Sequence, residues 1–241
     1  MSPRQQPEQQ APPVQRLRLR YAKTGRARFA SHRDFSRAFE RALRRAEVPM
    51  AYSSGFSPHP RISYANASPT GAATEAEYLE IGLADVRDAE EIRAALNAAL
   101  PDGFAITAVV TAGAGSLADS LTVSAWDIQV VGVARELMDG AVAALLAAEA
   151  VPVQRMTKTG RRDFDARGAI LALSVRDDQT LRLLARHLVP LVRPDDVMTA
   201  LGLVAEGFRP TQTPLFHRLA QGDWADDRLV DPFTGEPVVL D

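Results

Sequence analysis

Residues 31–60, SHRDFSRAFERALRRAEVPMAYSSGFSPHP, join an arginine-striped amphipathic segment to a loop dense in Gly, Ser, Pro and His. Ser31 stands where a helix N-cap is expected, and Asp34 three residues on makes a near capping box, with Asp in place of the usual Glu. Apolar residues then recur at Phe35, Ala38, Phe39, Ala42, Leu43 and Ala46, the i, i+3, i+4, i+7 spacing of one helical face. Arg33, Arg37, Arg41 and Arg44 fall on the opposite side, within a stripe roughly 80° wide. Val48-Pro49 is expected to end the helix.

On the N-terminal side, Arg16–Tyr21 alternates with Leu17, Leu19 and Tyr21 inward and three arginines outward, which predicts a strand. Lys23-Thr24-Gly25 reads as a turn, and Ala27–Ala30 as a continuation of extended chain. On the C-terminal side, Ile62–Ala65 and Ala76–Leu83 read as strands, with Leu79, Ile81 and Leu83 on one face. Asp85–Asp88 opens a second helix that Pro101-Asp102-Gly103 stops, and Phe104–Val110 closes as a strand. The predicted order is β-α-β-β-α-β, the split βαβ pattern of ferredoxin-like folds. The expected class is therefore α+β, with antiparallel sheets.

Thr111–Asp119, TAGAGSLAD, reads as a linker between halves. Beyond it the reading gives strand Leu121–Val133, helix Glu136–Ala150, strand Val153–Thr157, a basic turn Lys158–Arg162, extended Ile170–Val175 and a helix opened by Pro194. A hairpin turn and short helix is the plain reading of Lys158–Arg167. This half repeats the first in element order more than in sequence. The expected organisation is a disordered tail over 1–15, ferredoxin-like domains over 16–112 and 120–206, and a loosely ordered tail over 207–241. That last tail carries His217, Trp224 and Phe233 as docking points.

Composition narrows the function classes. The 241-residue chain has no cysteine, so its own thiolates hold no disulfide, zinc or iron–sulfur cluster. No apolar run approaches the roughly 18–20 residues that span a bilayer, and the first 15 residues lack a signal-peptide core, so a cytoplasmic location is expected. The net charge of −2 hides an asymmetry: residues 16–61 hold 12 Lys/Arg against 3 Asp/Glu, a local +9, and residues 62–241 carry −11. A basic patch on an acidic body favours a polyanionic partner at one face. Sequence signatures of phosphate-binding loops, dinucleotide folds and serine-hydrolase elbows are absent.

The arginine stripe also describes an ordinary solvated helix face; its single sign is what favours phosphate, with Arg18, Arg20, Arg26, Arg28 and Arg61 extending the patch. In GFSPHP, Pro58 and Pro60 bracket His59 on stiff backbone, Ser53, Ser54 and Ser57 supply hydroxyls, and Phe56 either stacks on a base or anchors the loop. His32 and His59, with Asp34, make a candidate acid–base set if both imidazoles reach one phosphate. Glu75, Glu77 and Glu80 with His59 form an acidic group whose spacing is not diagnostic of a metal; a solvated strand edge is the simpler reading, and no metal or cofactor is expected.

Together these residues resemble the uncharacterised radical SAM-linked protein family, a domain of unknown function. The resemblance rests on Ser31, His32 and Asp34; on Arg37 and Arg41 through Ala46; on Gly55, Phe56, Pro58, His59 and Pro60; and on Thr74, Glu75, Glu77 and Tyr78. Asp165-Ala166-Arg167 matches a further Asp-x-Arg element, so the likeness spans about residues 16–205; Arg33 and Ser57 depart from it. It implies an accessory protein that works with a separate radical SAM enzyme. On that reading Ser31, Arg37, Arg41, Arg44, Arg45, Gly55, Phe56, Ser57, His59 and Arg61 bind RNA or present a substrate. The alternatives are a metal-free acid–base nuclease or transferase using His32, Asp34 and His59, or a protein–protein adaptor; whether the chain is an enzyme stays open between them.

Overall fold

The alternation at residues 16–21 does build a strand, β1 (Gln15–Lys23), and the helical face after Ser31 builds α1 (His32–Arg45). β2 (Ile62–Ala65), β3 (Ala73–Leu83), α2 (Ala89–Ala99) and β4 (Phe104–Thr111) follow. In this computed structural model, which describes residues 9–157 and 160–240, the chain divides into two units at Asp119–Ser120. Residues 1–8 of the expected N-terminal tail, Lys158 and Thr159 of the expected basic turn, and Asp241 of the expected C-terminal tail lie outside the described residues. The class is α+β, with four α-helices among the described residues.

In the first unit the strands lie in the order β4-β1-β3-β2, every pair antiparallel. Register sets Leu17 opposite Ile81 and Leu19 opposite Leu79, and all four are fully buried beneath the two helices. From α1, Phe35, Phe39 and Leu43 enter this core, and from α2, Ile92 and Leu96. Phe35 is the centre of an aromatic cluster: it stacks on Tyr21 at 4.0 Å and 7°, and meets Phe104 at 5.2 Å and Phe39 at 5.6 Å. Such rings fix the seat of α1 on the sheet, since each adds directional contact to its apolar burial. Phe39 is fully buried; its truncation to alanine is worth about 3–5 kcal/mol by the usual cavity cost.

Three local expectations differ. Residues 27–30 do not extend β1; Gly25 (φ +54) turns the chain into a 3-10 turn over Gly25–Phe29. The end of α1 is set before Pro49 is reached: Glu47 takes φ +51 and the Val48 amide donates to the Leu43 carbonyl at 3.0 Å, a Schellman closure. Finally, the three β1 arginines do not all face water, because Arg18 is only 6% exposed.

The second unit comprises β5 (Val123–Gln129), α3 (Arg135–Ala147), β6 (Pro152–Thr157), β7 (Gly160–Asp165), β8 (Ile170–Asp177), β9 (Thr180–Arg186), α4 (Pro194–Val204), β10 (Leu215–Ala225) and β11 (Arg228–Val230). β10, β5, β9 and β8 lie in that order, antiparallel, with β11 on β10, while β6 and β7 form a separate ribbon. Met138, Ala141 and Leu145 of α3 and Val197, Ala200 and Leu201 of α4 are buried. Pro194 stands at the first turn of α4 as expected, and Asp196 both accepts from the Arg193 amide at 2.7 Å and pairs with Arg155 at 2.7 Å.

Residues 207–241 are not a loose tail throughout. Leu215–Ala225 is a paired strand beside β5, Phe216 and Ala220 are buried, and His217, Trp224 and Phe233 are half-buried rather than displayed. The strand is masked in the sequence because Arg218 holds an inward position: it is 3% exposed, with its guanidinium 5.3 Å from the Trp126 ring centroid.

Candidate functional site

The best-formed candidate surface is the outer side of α1 together with the loop that follows it. α1 starts at a full capping box: the Asp34 amide donates to Ser31 Oγ at 3.2 Å, and Asp34 Oδ2 accepts from the Ser31 amide at 3.1 Å and hydroxyl at 2.6 Å. These hydrogen bonds from Ser31 hold the Asp34 carboxyl below its ordinary range. Ser31 and Asp34 are thus committed to starting the helix. The cap spans only Asp's shorter side chain, so the departure from Glu leaves the motif intact.

Along the helix, burial of Phe35, Ala38, Phe39, Ala42 and Leu43 forces the intervening positions into solvent. Arg33, Arg37, Arg41, Arg44 and Arg45 are all exposed. Glu40 lies 4.0 Å from Arg44, an exposed pair of the kind that contributes only about 0.3–0.5 kcal/mol. Five guanidinium groups on one 14-residue helix leave a strong positive field at this face.

The loop after α1 returns beside the helix's last turns. Ala51 and Arg61 flank Gly82 of β3: the Ala51 amide donates to the Gly82 carbonyl, and the Gly82 amide to the Arg61 carbonyl. Tyr52 bridges Pro60, the Ser53 amide donates to the His59 carbonyl at 2.9 Å, and the His59 amide donates to Ser53 Oγ at 3.1 Å. Arg61 Nε donates to the Tyr52 carbonyl at 3.0 Å. The loop is consequently closed at its neck, where His59 is exposed, and presents Gly55, Phe56 and Ser57 at its tip, where Phe56 is 72% exposed. A small cavity of about 30 Å³ between Glu40, Arg44, Met50, Tyr52 and Pro60 marks where the arginine helix meets the neck.

The two candidate histidines occupy different places. His32 is exposed at the helix start, its ring edge-on to Tyr64 at 4.6 Å. His59 is exposed in the loop ahead of β2, five residues before Tyr64, an extended span of about 16 Å. Tyr64 itself is half-buried, packed against the core that α1 covers; loss of solvent pushes its hydroxyl up to about 12, and the nearby Ser36 hydroxyl is already given to the His32 carbonyl at 2.9 Å. Neither Tyr64 nor Ser36 carries a signal that sequence reading could have used, since each belongs to an ordinary element pattern.

Of the acidic residues after Gly71, Glu77 and Glu80 are separated by the pleat. Glu77 is buried and accepts from the Ser68 amide at 3.2 Å, whereas Glu80, on the other face of β3, pairs with Arg16 and Arg18. The patch extension also divides. Arg61 stands at the loop neck, but Arg18 and Arg20 lie on the sheet face opposite α1, Arg20 Nε donating to Thr107 Oγ1 at 3.2 Å, and Arg28 is tied to the Gly71 carbonyl at 2.6 Å. The Asp165-Ala166-Arg167 element is a backbone clamp: Asp165 accepts from the amides of Val151, Arg167 and Gly168, and Arg167 donates to the carbonyls of Leu146 and Ile170.

Among the described residues no helix is long and apolar enough to cross a membrane. Compared with known proteins, residues 16–194 match the family described as "Uncharacterized protein conserved in bacteria (DUF2344)", which covers the α1 surface, the loop and the Asp165–Arg167 clamp. No curated protein matches the chain.

Proposed function

We propose, from the premise that this chain belongs to that family of uncharacterized bacterial proteins, that it binds RNA through α1 and the Tyr52–Pro60 loop as an accessory to a separate radical SAM enzyme. The observation that carries the RNA part is the row of five exposed arginines on α1, diluted by two carboxylates on the same helix, Asp34 in the cap and Glu40 beside Arg44. Guanidinium groups in such a row suit the regularly spaced phosphates of a nucleic acid backbone. The radical SAM part rests on the sequence resemblance, and any cluster belongs to the other chain because this one has no cysteine.

We also read each unit as a ferredoxin-like fold. What supports this is the strand order β4-β1-β3-β2 in the first unit and β10-β5-β9-β8 in the second, with a helix after the first and third strand of each and the β6–β7 ribbon as an insertion.

The acid–base alternative has less behind it. Asp34 is occupied by the helix cap, and the two histidines flank β2 from different ends rather than one reacting group.

A salt titration of binding to a labelled RNA tests the proposal. The wild-type protein should lose affinity linearly on a log–log plot. Arg41→Ala with Arg44→Ala should reduce the slope by about 1.4, at roughly 0.7 per single-strand phosphate contact. If affinity and slope are both unchanged in the double variant, α1 is not the phosphate contact.

A further inference from the structure

Resting on the RNA reading, we infer that the RNA bound here is unpaired, and that Phe56 stacks on one of its bases. Phe56 stands 72% exposed at the tip of a loop whose neck is closed by the Tyr52–Pro60 bridge, the two Ser53–His59 hydrogen bonds and the Arg61–Tyr52 contact. A loop braced that way holds an aromatic ring in water at a fixed place, so the ring loses little freedom when a flat partner covers it. Charged groups stand at the neck of the same loop: Glu40 and Arg44 of α1 line a cavity with Tyr52 and Pro60, and Arg61 donates to the Tyr52 carbonyl. Tyr52 is itself 42% exposed.

At the other end of α1, Phe29 is 66% exposed, with the Arg28 guanidinium 5.8 Å from its ring centroid. The α1 arginines thus lie along the chain between two exposed rings, Phe29 in the turn before the helix and Phe56 in the loop after it. That combination, a cationic track with rings on which bases stack, is how single strands are held without sequence readout. A duplex offers phosphates to the arginines but keeps its base faces covered, leaving Phe56 with nothing to cover. Unpaired loops and ends present those faces. Gly55 serves the same display: its φ of +126 turns the chain at the tip where side-chain-bearing residues are strained.

Fluorescence anisotropy with the full chain separates the possibilities, using a labelled 12-nucleotide oligouridylate and an RNA duplex of 12 base pairs as probes. The single strand should bind more tightly than the duplex. Phe56→Ala should weaken the single strand about 5- to 150-fold while leaving duplex affinity and both salt slopes unchanged, and Phe56→Trp should restore single-strand binding. Equal affinity for both probes, unaltered by Phe56→Ala but lowered by Arg41→Ala with Arg44→Ala, would overturn the stacking inference and leave the RNA reading standing. Absence of binding to either probe would remove the RNA reading, and this inference with it.

Discussion

Arginine recurs along β1 at every second residue and along α1 at every third or fourth, yet the two rows meet opposite fates. On β1, Arg18 is buried, donating through Nε to Glu80 at 3.1 Å and through Nη2 to the Gly115 carbonyl at 2.6 Å, and Arg16 shares the same carboxylate at 3.2 Å. On α1 the side chains stand in solvent with little internal partnership. Arg18 at the middle of the first row is structural charge, spent inside the fold, with Arg16 tied to the same carboxylate; the second row is surface charge that acts outward. A local +9 in the sequence is therefore smaller at the surface than a count suggests, and what remains is concentrated on α1.

The largest test of this contrast is Arg18→Ala. Removing it strips Glu80 of its buried partner and leaves two carbonyls without their donor, which should cost about 3 kcal/mol or more in urea denaturation. Arg16→Ala, removing a side chain that is half exposed, should cost no more than about 1 kcal/mol. Arg18→Ala tolerated as well as Arg16→Ala would erase the distinction. On the helix side, Ser31→Ala should lower stability by about 1 kcal/mol through loss of the cap, and should leave the salt slope of RNA binding unaltered once the protein is folded. A change in slope would mean that the cap contacts the ligand as well as the helix.

Histidines divide in the same way, and give the smallest and most specific test. His32 and His59 are exposed, whereas His187, just past β9, accepts from the Ser124 hydroxyl at Nε2 (2.7 Å) and donates from Nδ1 to the Leu121 carbonyl (2.6 Å). Burial first, and the Arg218 charge after it, push His187 below its ordinary value; the Leu121 carbonyl opposes them. The unfolded chain then takes up its proton first. Stability is complete above about pH 6.5 and falls as pH descends through the lowered folded value. His187→Gln should flatten that limb in chemical denaturation run across pH 5–7. An unchanged limb would place the titration elsewhere.

Local pattern carried the reading far along α1, because an apolar face at helical spacing and a cap residue are both properties of neighbouring residues. β2 and the start of α4 were legible for the same reason. Burial of Arg18 was not, since alternation tells which face a side chain takes and not what covers that face; its carbonyl partners come 95 and 97 residues later. β10 escaped because the buried cation Arg218 and a register shift between Arg218 and Ala220 break its alternation. Gly25 marks a turn in sequence as in structure, but the 3-10 turn it opens has no buried residues and so no hydropathy signature. For the candidate site, exposure of the arginines followed from the helix face. The closed neck of the loop did not, because it depends on backbone pairing between Tyr52 and Pro60 that composition does not encode.

The Gly/Ala stretch after β4 has a practical bearing. Its composition invites a cut at residue 112, but the Ala112 amide continues the pairing with Arg16, and the chain then bends at Gly115 (φ +82) to bring two carbonyls onto Arg18. Leu117 is buried as well. A fragment ending at 112 would expose a cationic side chain that has lost its acceptors, so the first half of this chain ends, for purposes of recombinant dissection, no earlier than Leu117.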